Sequence, residues 1–256
     1  MQKTADGQNY KLLHLCMDFG TQMLEVGAET SRVEDSVKRI LEAYDKKAIS
    51  IFAIPTLLLV TFEDDEGIPY TSSVRIKNIT SHFDRLDRLN HLSRTLCSGE
   101  VKSLEYFQEQ LDLIRQSKLY KLPVLLLAAV VVGMGFSYVF GGTVVDILWS
   151  GPIALAMKAF YELLDRAKLN STYVNLMASF SAGFLAELFF RLNLLEHPPI
   201  VTVAVVMNLV PGMLLTNAIY DIIHKDFTAG LNKLIEAVFV AVALAVGTGS
   251  AVLLFR

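Results

Sequence analysis

Residues 122–145 read LPVLLLAAVVVGMGFSYVFGGTVV, and no charged side chain interrupts these 24 positions. A helix needs about 20 apolar residues to cross the hydrocarbon core of a bilayer, so this stretch is long enough to span a membrane. Comparable uncharged runs occur at residues 169–186, 197–220 and 237–255. A shorter run, residues 147–157, becomes a span if its flanking Asp146 and Lys158 lie at opposite interfaces. The sequence therefore predicts about five transmembrane helices, at 122–142, 144–161, 170–190, 199–222 and 230–255.

The charged residues are concentrated before these runs, with 34 of the 49 in residues 1–121. Apolar residues recur there at helical spacing over residues 10–26, and Gly27 is expected to end that helix. A capping box from Ser31 to Glu34 is predicted to start a second helix. Three short β-rich runs, with an acidic turn at residues 63–67, predict a small antiparallel sheet, and two further amphipathic helices follow. The predicted fold class is an α-helical polytopic membrane protein preceded by a small α+β cytosolic domain, divided into residues 1–118 and 119–256.

Basic residues indicate the orientation, because cytosolic loops carry an excess of lysine and arginine. With the N-terminus inside the cell, seven basic residues lie at or near the cytosolic side: Lys118, Lys121, Lys158, Arg166, Lys168, Lys225 and Lys233. The sequence thus predicts a multi-pass protein of the plasma or inner membrane with a cytosolic N-terminus.

Composition and motifs exclude several function classes. A net charge of −3 and a pI near 6.0 give no basic surplus for a nucleic acid. Two cysteines 81 positions apart do not form a disulfide scaffold and are interpreted as reduced and structural. No hydrolase, nucleotide-binding or metal-binding motif is found, so we predict no catalytic residue, no metal and no cofactor.

The most informative feature is Pro211-Gly212, near the middle of the predicted span PIVTVAVVMNLVPGMLLTNAIYDII. Proline breaks the helical ladder, and we expect the Asn208 amide to satisfy the freed carbonyl of Met207. A half-helix restarting at Gly212 would direct unpaired amides towards a substrate carboxylate. The alternative is a kink that serves packing alone. The predicted substrate-binding residues are Asn208, Pro211, Gly212, Asn217 and Asp221.

Two glutamates in the spans each have a basic residue within helical reach. Glu187 is expected to pair with Arg191, and Glu236 with Lys233. The alternative is that either carboxylate faces a cavity and couples transport to protons. Small residues at every fourth position predict helix-packing stripes at Ala178, Ala182 and Ala186, and at Ala237, Ala241, Ala245 and Gly249.

Three segments resemble the threonine/serine exporter family: GAETSRVE at residues 27–34, FAIPTLLLV at 52–60, and NLVPGMLLTNAIYDIIHKDFTAGLNKLIEA at 208–237. The late segment is the most specific, since Pro211-Gly212, Asn217, Asp221, Asp226 and Gly230 all fall at the family's spacing. The resemblance therefore adds Glu29, Glu34, Asp226 and Gly230 as possible coupling or structural residues.

The resemblance implies a cytosolic domain followed by about five spans, with a second membrane half either fused on or encoded separately. This chain is similar to the split form, in which a YjjP-type subunit works with a YjjB-type partner. That form is linked to succinate export, whereas fused members are linked to threonine and serine export. Both substrate classes carry a carboxylate.

Three functions are compatible with these patterns. We expect a subunit of an exporter that lies in the lipid bilayer and works with a second membrane subunit or as a homo-oligomer. A regulatory or scaffold subunit and a membrane hydrolase using the cytosolic domain are the alternatives.

Overall fold

The computed structural model describes residues 2–77, 82–99, 102–117, 120–167 and 169–256, with side chains from residue 7 onward. The chain forms two compact units. Unit 1 comprises Met1–Lys118 together with Met213–Leu234, and unit 2 comprises Leu119–Gly212 together with Ile235–Arg256. Residues 213–234, which the sequence assigns to the transmembrane domain, thus group with the N-terminal segment.

Unit 1 is an α+β structure around a three-stranded sheet. Its N-terminal stretch forms the helices α1 (Gln2–Glu25), α2 (Thr30–Ala43), α3 (Phe83–Cys97) and α4 (Leu104–Arg115), and the strands β1 (Lys47–Ile54), β2 (Leu57–Glu63) and β3 (Pro69–Arg75). The strands pair antiparallel in the order β1-β2-β3, which confirms the predicted sheet. Fully buried apolar side chains from the helices and the sheet form one core, among them Phe19, Met23, Ile40, Leu58, Phe62 and Phe107.

The joint between α1 and α2 differs from the predicted capping box. Gly27 has a φ of +85°, and its amide donates to Leu24 while the Ala28 amide donates to Met23, a Schellman motif that ends α1 as expected. Helix α2 then begins at Thr30, one residue before the predicted cap, with Glu29 at the N-cap. The Glu34 carboxylate accepts from the Ala53 amide of β1 at 2.7 Å instead of returning to Ser31. The capping-box prediction is therefore wrong, because the Glu34 carboxylate binds the backbone of strand β1.

Unit 2 contains α5 (Leu122–Val139), α6 (Val144–Arg166), α7 (Ser171–Arg191) and α8 (Pro198–Val206). After α9 (Gly212–Ile223), helix α10 (Phe227–Leu254) begins in unit 1 and ends in unit 2. Within the described residues, four helices are long and apolar enough to cross a membrane: α5, α6, α7 and α10. A fifth span is not confirmed, since the segment predicted at 199–222 is divided between the short helices α8 and α9.

The break at Pro211 is confirmed, but its hydrogen bonds differ from the prediction. Helix α8 ends at Val206, five residues before Pro211, and turns follow. The Asn208 side-chain amide donates to the Val205 carbonyl at 3.0 Å and to the Ala129 carbonyl of α5 at 3.4 Å. It does not cap the Met207 carbonyl as predicted, because the helix has already ended there. Asn208 instead ties the turn to α5 within unit 2.

Small residues mark helix packing in unit 2, as predicted for α7, where Ala178, Ala182 and Ala186 are fully buried. In α10 only Ala237 of the predicted stripe is buried within this chain, and Ala241, Ala245 and Gly249 are exposed. A helix turns every 3.6 residues, so a period of four drifts around its axis. Gly247 is one of the buried positions of α10, and an added Cβ there would lie 2.1 Å from Ser179 Oγ of α7.

Candidate functional site

Two segments that are far apart in the sequence meet inside unit 1. One is the turn from α1 into α2, with the sequence Gly-Ala-Glu-Thr at residues 27–30, and the other is the helical hairpin of α9 and α10. The Asn217 amide of α9 donates to the Gly27 carbonyl at 3.0 Å. The Thr30 hydroxyl donates to Asp226 Oδ2 at 2.8 Å and lies 3.4 Å from Asp221 Oδ1. The structure therefore brings together both of the specific motifs found in the sequence.

The hairpin between α9 and α10 is built by its own backbone hydrogen bonds. The Lys225 amide donates to Ile222 and the Asp226 amide to Asp221, which is a Schellman motif with Lys225 in the left-handed region at a φ of +68°. Asp226 then caps α10, because its Oδ1 accepts from the Ala229 amide at 3.2 Å. Only three residues separate the two helices, so their facing side chains are held close together.

Gly230 explains how closely the two helices approach. A Cβ at this position would lie 2.5 Å from Ile222 Cγ1 and 2.9 Å from the Ala218 carbonyl oxygen of α9. A larger residue would therefore force α10 away from α9. The predicted candidate Gly230 has a structural role in placing the site.

An ion pair lies on the facing sides of this hairpin. Lys233 Nζ is 2.7 Å from Asp221 Oδ2, and the two residues are 6% and 1% exposed. Burying two charges costs several kcal/mol per ion, which the pair offsets only with good geometry and additional hydrogen bonds. Thr30, which is completely buried, contributes to these hydrogen bonds. We name Thr30, Asn217, Asp221, Asp226 and Lys233 the polar cluster.

A small cavity adjoins the polar cluster. Its volume is about 40 Å³, and Lys233 and Asn217 line it together with apolar and backbone groups from Leu24, Gly27, Ala28, Pro55, Met213 and Leu214. A cavity of this volume is large enough to hold at least one water molecule. The lysine is thus the charged side chain that borders this cavity.

The two glutamates of the first motif lie at the edge of the cluster. Glu29 forms an ion pair with Arg32 at 3.4 Å. Partial burial raises the pKa of Glu34 above its ordinary value, and repulsion from Asp226 acts in the same direction, whereas the hydrogen bond from the Ala53 amide opposes the rise. The surroundings of Glu34 therefore disfavour its charged form.

The remaining predicted site residues are not part of the polar cluster. Asn208, Pro211 and Gly212 belong to unit 2, where they form the turn after α8. The predicted pair of Glu187 with Arg191 is absent from the described residues, since Arg191 donates to the Phe255 carbonyl. The predicted pair of Glu236 with Lys233 is also wrong, because Lys233 binds Asp221 and Glu236 is exposed.

A second buried carboxylate, Asp146 of α6, lies in unit 2. Oδ1 accepts from the amides of Glu196 and His197, and Oδ2 accepts from Thr143 and approaches His197 Nδ1 at 2.9 Å. Possible ligand atoms of Asp146, Glu196 and His197 lie within 4.8 Å of one another. Both carboxylate oxygens of Asp146 already accept several hydrogen bonds, so a metal would have to displace them. The arrangement fastens the loop before α8 to the start of α6.

Sequence reasoning identified Asn217, Asp221, Asp226 and Gly230 but missed Thr30 and Lys233. Lys233 lies seven positions into α10, where a lysine in an apolar helix suggests an interfacial position. Asp221 and Lys233 are separated by a helix end and a turn, so no helical spacing connects them. The available signal was the presence of one acid and one base in two consecutive apolar helices.

Comparisons with known proteins agree with the resemblance found in the sequence. The sequence model of the threonine/serine exporter family, ThrE, matches residues 14–255, which is nearly the whole chain. No curated protein and no solved structure matches the chain significantly. The matched range includes both segments that form the polar cluster. The chain therefore belongs to the threonine/serine exporter family.

Proposed function

We propose that this protein is a subunit of a membrane exporter for small metabolites that carry a carboxylate. The family indicates threonine and serine as substrates, and the split-form resemblance adds dicarboxylates such as succinate. The observation that carries the proposal is the polar cluster, because buried ionisable side chains on apolar helices mark substrate and ion pathways in membrane proteins.

Helix α9 supports this reading because its polar and apolar sides are reversed relative to a soluble helix. Its buried residues are Asn217, Ala218 and Asp221. The exposed side chains are largely apolar, among them Leu215, Ile219 and Ile223. A soluble amphipathic helix buries its apolar stripe instead. Lipid or another membrane subunit is the surrounding that suits this surface.

The exposed surfaces of unit 2 support a partner in the membrane. Helix α5 is buried over little of its length, and Leu127, Val131, Tyr138 and Val139 are all exposed. Such helices need lipid or protein around them. We propose that a second membrane subunit of the YjjB type, or another copy of this chain, covers part of this surface.

The proposed arrangement places residues 1–118, the N-terminal part of unit 1, on the cytosolic side of the plasma or inner membrane. Its support is the distribution of lysine and arginine, which favours the cytosolic ends of transmembrane helices. Substrate would then reach the exporter from the side on which it is made.

We retain Asn208, Pro211 and Gly212 of unit 2 as candidate substrate contacts. In unit 1 we retain Asn217 as a candidate contact and Asp221 as a site residue that acts through its ion pair with Lys233. An added Cβ at Gly212 would meet no atom within 4 Å, so its backbone is open to approach in unit 2. Glu187, Glu236, Glu29, Glu34 and Asp226 remain candidates for coupling or structural roles.

Efflux from preloaded cells tests the function. Cells with this chain alone, with a YjjB-type subunit alone, with both, and with neither are loaded separately with threonine, serine and succinate. We expect the fastest efflux of at least one of these acids when both chains are present. The proposed function would be contradicted if, for each of the three acids, the efflux rate were the same in all four cell lines at matched membrane levels.

A further inference from the structure

We propose that Lys233 is the receptor for the substrate carboxylate and that Asp221 occupies it as an internal substitute when no substrate is bound. This inference rests on the proposed function and specifies its binding chemistry. The salt bridge between Lys233 Nζ and Asp221 Oδ2, at 2.7 Å, already has the geometry of an ammonium holding a carboxylate. A substrate carboxylate would make the same contact.

The position of the cavity distinguishes the two partners of the pair. Lys233 lines the cavity of about 40 Å³, whereas Asp221 does not. A carboxylate that enters this cavity would therefore approach Lys233 and not Asp221. The cavity is much smaller than ordinary ligand sites, which measure about 300–1,000 Å³, so it must widen to admit a whole amino acid.

The remaining members of the polar cluster make the exchange feasible. The Thr30 hydroxyl donates its one proton to Asp226 and lies 3.4 Å from Asp221 Oδ1, so it can rotate to donate to Asp221 when Lys233 is released. Asn217 lines the same cavity as Lys233, and its side-chain oxygen can accept a hydrogen bond from the substrate amino group. The carboxylate and the amino group of one amino acid thus each have a recognising group at this cavity.

A purely structural pair is the competing explanation. Replacing a buried ion pair by apolar residues is often neutral or stabilising, so stability alone does not account for two charges on otherwise apolar helices. A purely structural role also does not require that the base, rather than the acid, lines a cavity. The two explanations differ in what happens when acid and base exchange places.

Ligand binding to the purified full-length chain tests the inference. Dissociation constants are measured by calorimetry for threonine, serine and succinate, and for threoninol, which lacks the carboxylate. We expect the wild type to bind at least one of the three acids and threoninol at least about tenfold more weakly, a factor worth about 1.4 kcal/mol. Equal binding of threonine and threoninol would overturn the inference.

Two variants separate the receptor from its substitute. In Asp221→Asn the competing carboxylate is removed, so we expect the dissociation constant of the bound acid to fall by about tenfold or more. In the exchanged variant, Asp221→Lys with Lys233→Asp, the ion pair is kept while the base leaves the cavity, so binding should be lost. Retained binding in the exchanged variant, or unchanged or weakened binding in Asp221→Asn, would overturn the inference.

Controls keep the outcomes distinct. Thermal unfolding shows whether each variant is folded, and Lys158→Met removes a lysine from another pair, with Glu162 in α6. Lys158→Met should bind like the wild type. If the wild type binds none of the acids although cells carrying the chain export one of them, the carboxylate receptor is elsewhere and the exporter function stands. If cells also fail to export, the proposed function itself fails.

Discussion

The hydroxyl of Thr30 donates to Asp226 and lies near Asp221 in the polar cluster, and its contribution to stability can be measured. Thr30→Val keeps the shape of the side chain but removes the donor to Asp226, so we expect a loss of about 1–3 kcal/mol in stability. Thermal unfolding of the purified protein measures this loss. Thr30→Ser retains the hydroxyl and should lose clearly less. Equal destabilisation by the two variants would show that the hydrogen bond has no net effect.

Glu34 gives a pH-dependent prediction because its folded-state pKa is raised, chiefly by burial. A raised carboxyl pKa favours the protonated form in the folded state, so stability falls as the pH rises from the ordinary pKa through the raised one. Glu34→Gln keeps an acceptor for the Ala53 amide without the charge. We expect it to raise the unfolding temperature at pH 7, with a gain that disappears as the pH is lowered through this range.

The exposed neighbour Asp35 provides a control for Glu34, since it pairs with Arg39 at 2.9 Å at the surface. Asp35→Asn should change the stability by no more than about 0.5 kcal/mol and should not reproduce the pH dependence. The expectation for Glu34 is wrong if Glu34→Gln lowers the unfolding temperature at pH 7.

At the residue scale the sequence identified polar residues that are unusual in an apolar segment. It did not show which residues pair with one another in the folded protein. Asp221 and Asp226 stood out as acids in an apolar segment, and Asn217 accompanied them. Lys233 did not, since a lysine near a helix start is common. Its partner is determined by the tight turn after Ile223 and by the close approach at Gly230, which are tertiary properties.

The crossing of α7 and α10 gives a prediction for two glycines of one helix. A Cβ at Gly247 would collide with Ser179 Oγ and with the Leu176 carbonyl of α7, at 2.1 and 2.4 Å, whereas a Cβ at Gly249 would meet nothing within 4 Å. Gly247→Ala should therefore destabilise the protein, by about 1–3 kcal/mol for overpacking. Gly249→Ala should be neutral or slightly stabilising, because alanine favours helix. Thermal unfolding of both variants checks this, and the reverse order would restore the stripe predicted from the sequence.

The turn between α8 and α9 can be tested for a role in transport. Gly212→Leu meets no steric obstacle within 4 Å of its Cβ, so we expect the variant to fold and insert but to lose export, because the side chain covers the backbone. Pro211→Ala should weaken export while leaving insertion intact. Efflux at matched membrane levels is the measurement. Unchanged efflux in both variants would reduce this turn to a packing element.

Helices were predictable where the length and hydropathy of a segment determine its structure, and less so where the spacing of small residues was the only signal. Hydropathy and length indicated α5, α6, α7 and α10, because apolar runs of this size have few alternatives. The buried face of α10 was not predictable, because the spacing of small residues does not show which side of the helix contacts α7. The structure selects the side on which Gly247 meets α7.

The whole molecule offers a topology test with its own two cysteines. Cys97 is exposed, whereas Cys16 is completely buried, and burial raises the pKa of the Cys16 thiol far above its ordinary value. The thiolate is the reactive form, so Cys16 should remain unlabelled in the folded protein. A membrane-impermeant maleimide at a pH of about 8.5 should label Cys97 only after intact cells are permeabilised. Cys97→Ser is the control and should abolish the signal.

Labelling of Cys97 in intact cells would contradict a cytosolic location of residues 1–118. Labelling of Cys16 in the folded Cys97→Ser variant would contradict the described core. Orientation is a property that the fold of an isolated chain does not contain, because it depends on the membrane and on the distribution of basic residues.

Unit 1 is assembled from two separate stretches of the chain, and this has a consequence for recombining relatives. A chimera that takes residues 1–118 from one exporter and the rest from another would join Thr30 and Gly27 of one parent to Asn217, Asp226 and the surrounding helices of the other. Hydrogen bonds between the two parental segments would form only if both parents carry compatible residues at these positions. A crossover design that transfers residues 1–118 together with 213–234 keeps each parental polar cluster whole, so these grafts should be the ones that inherit a functional domain.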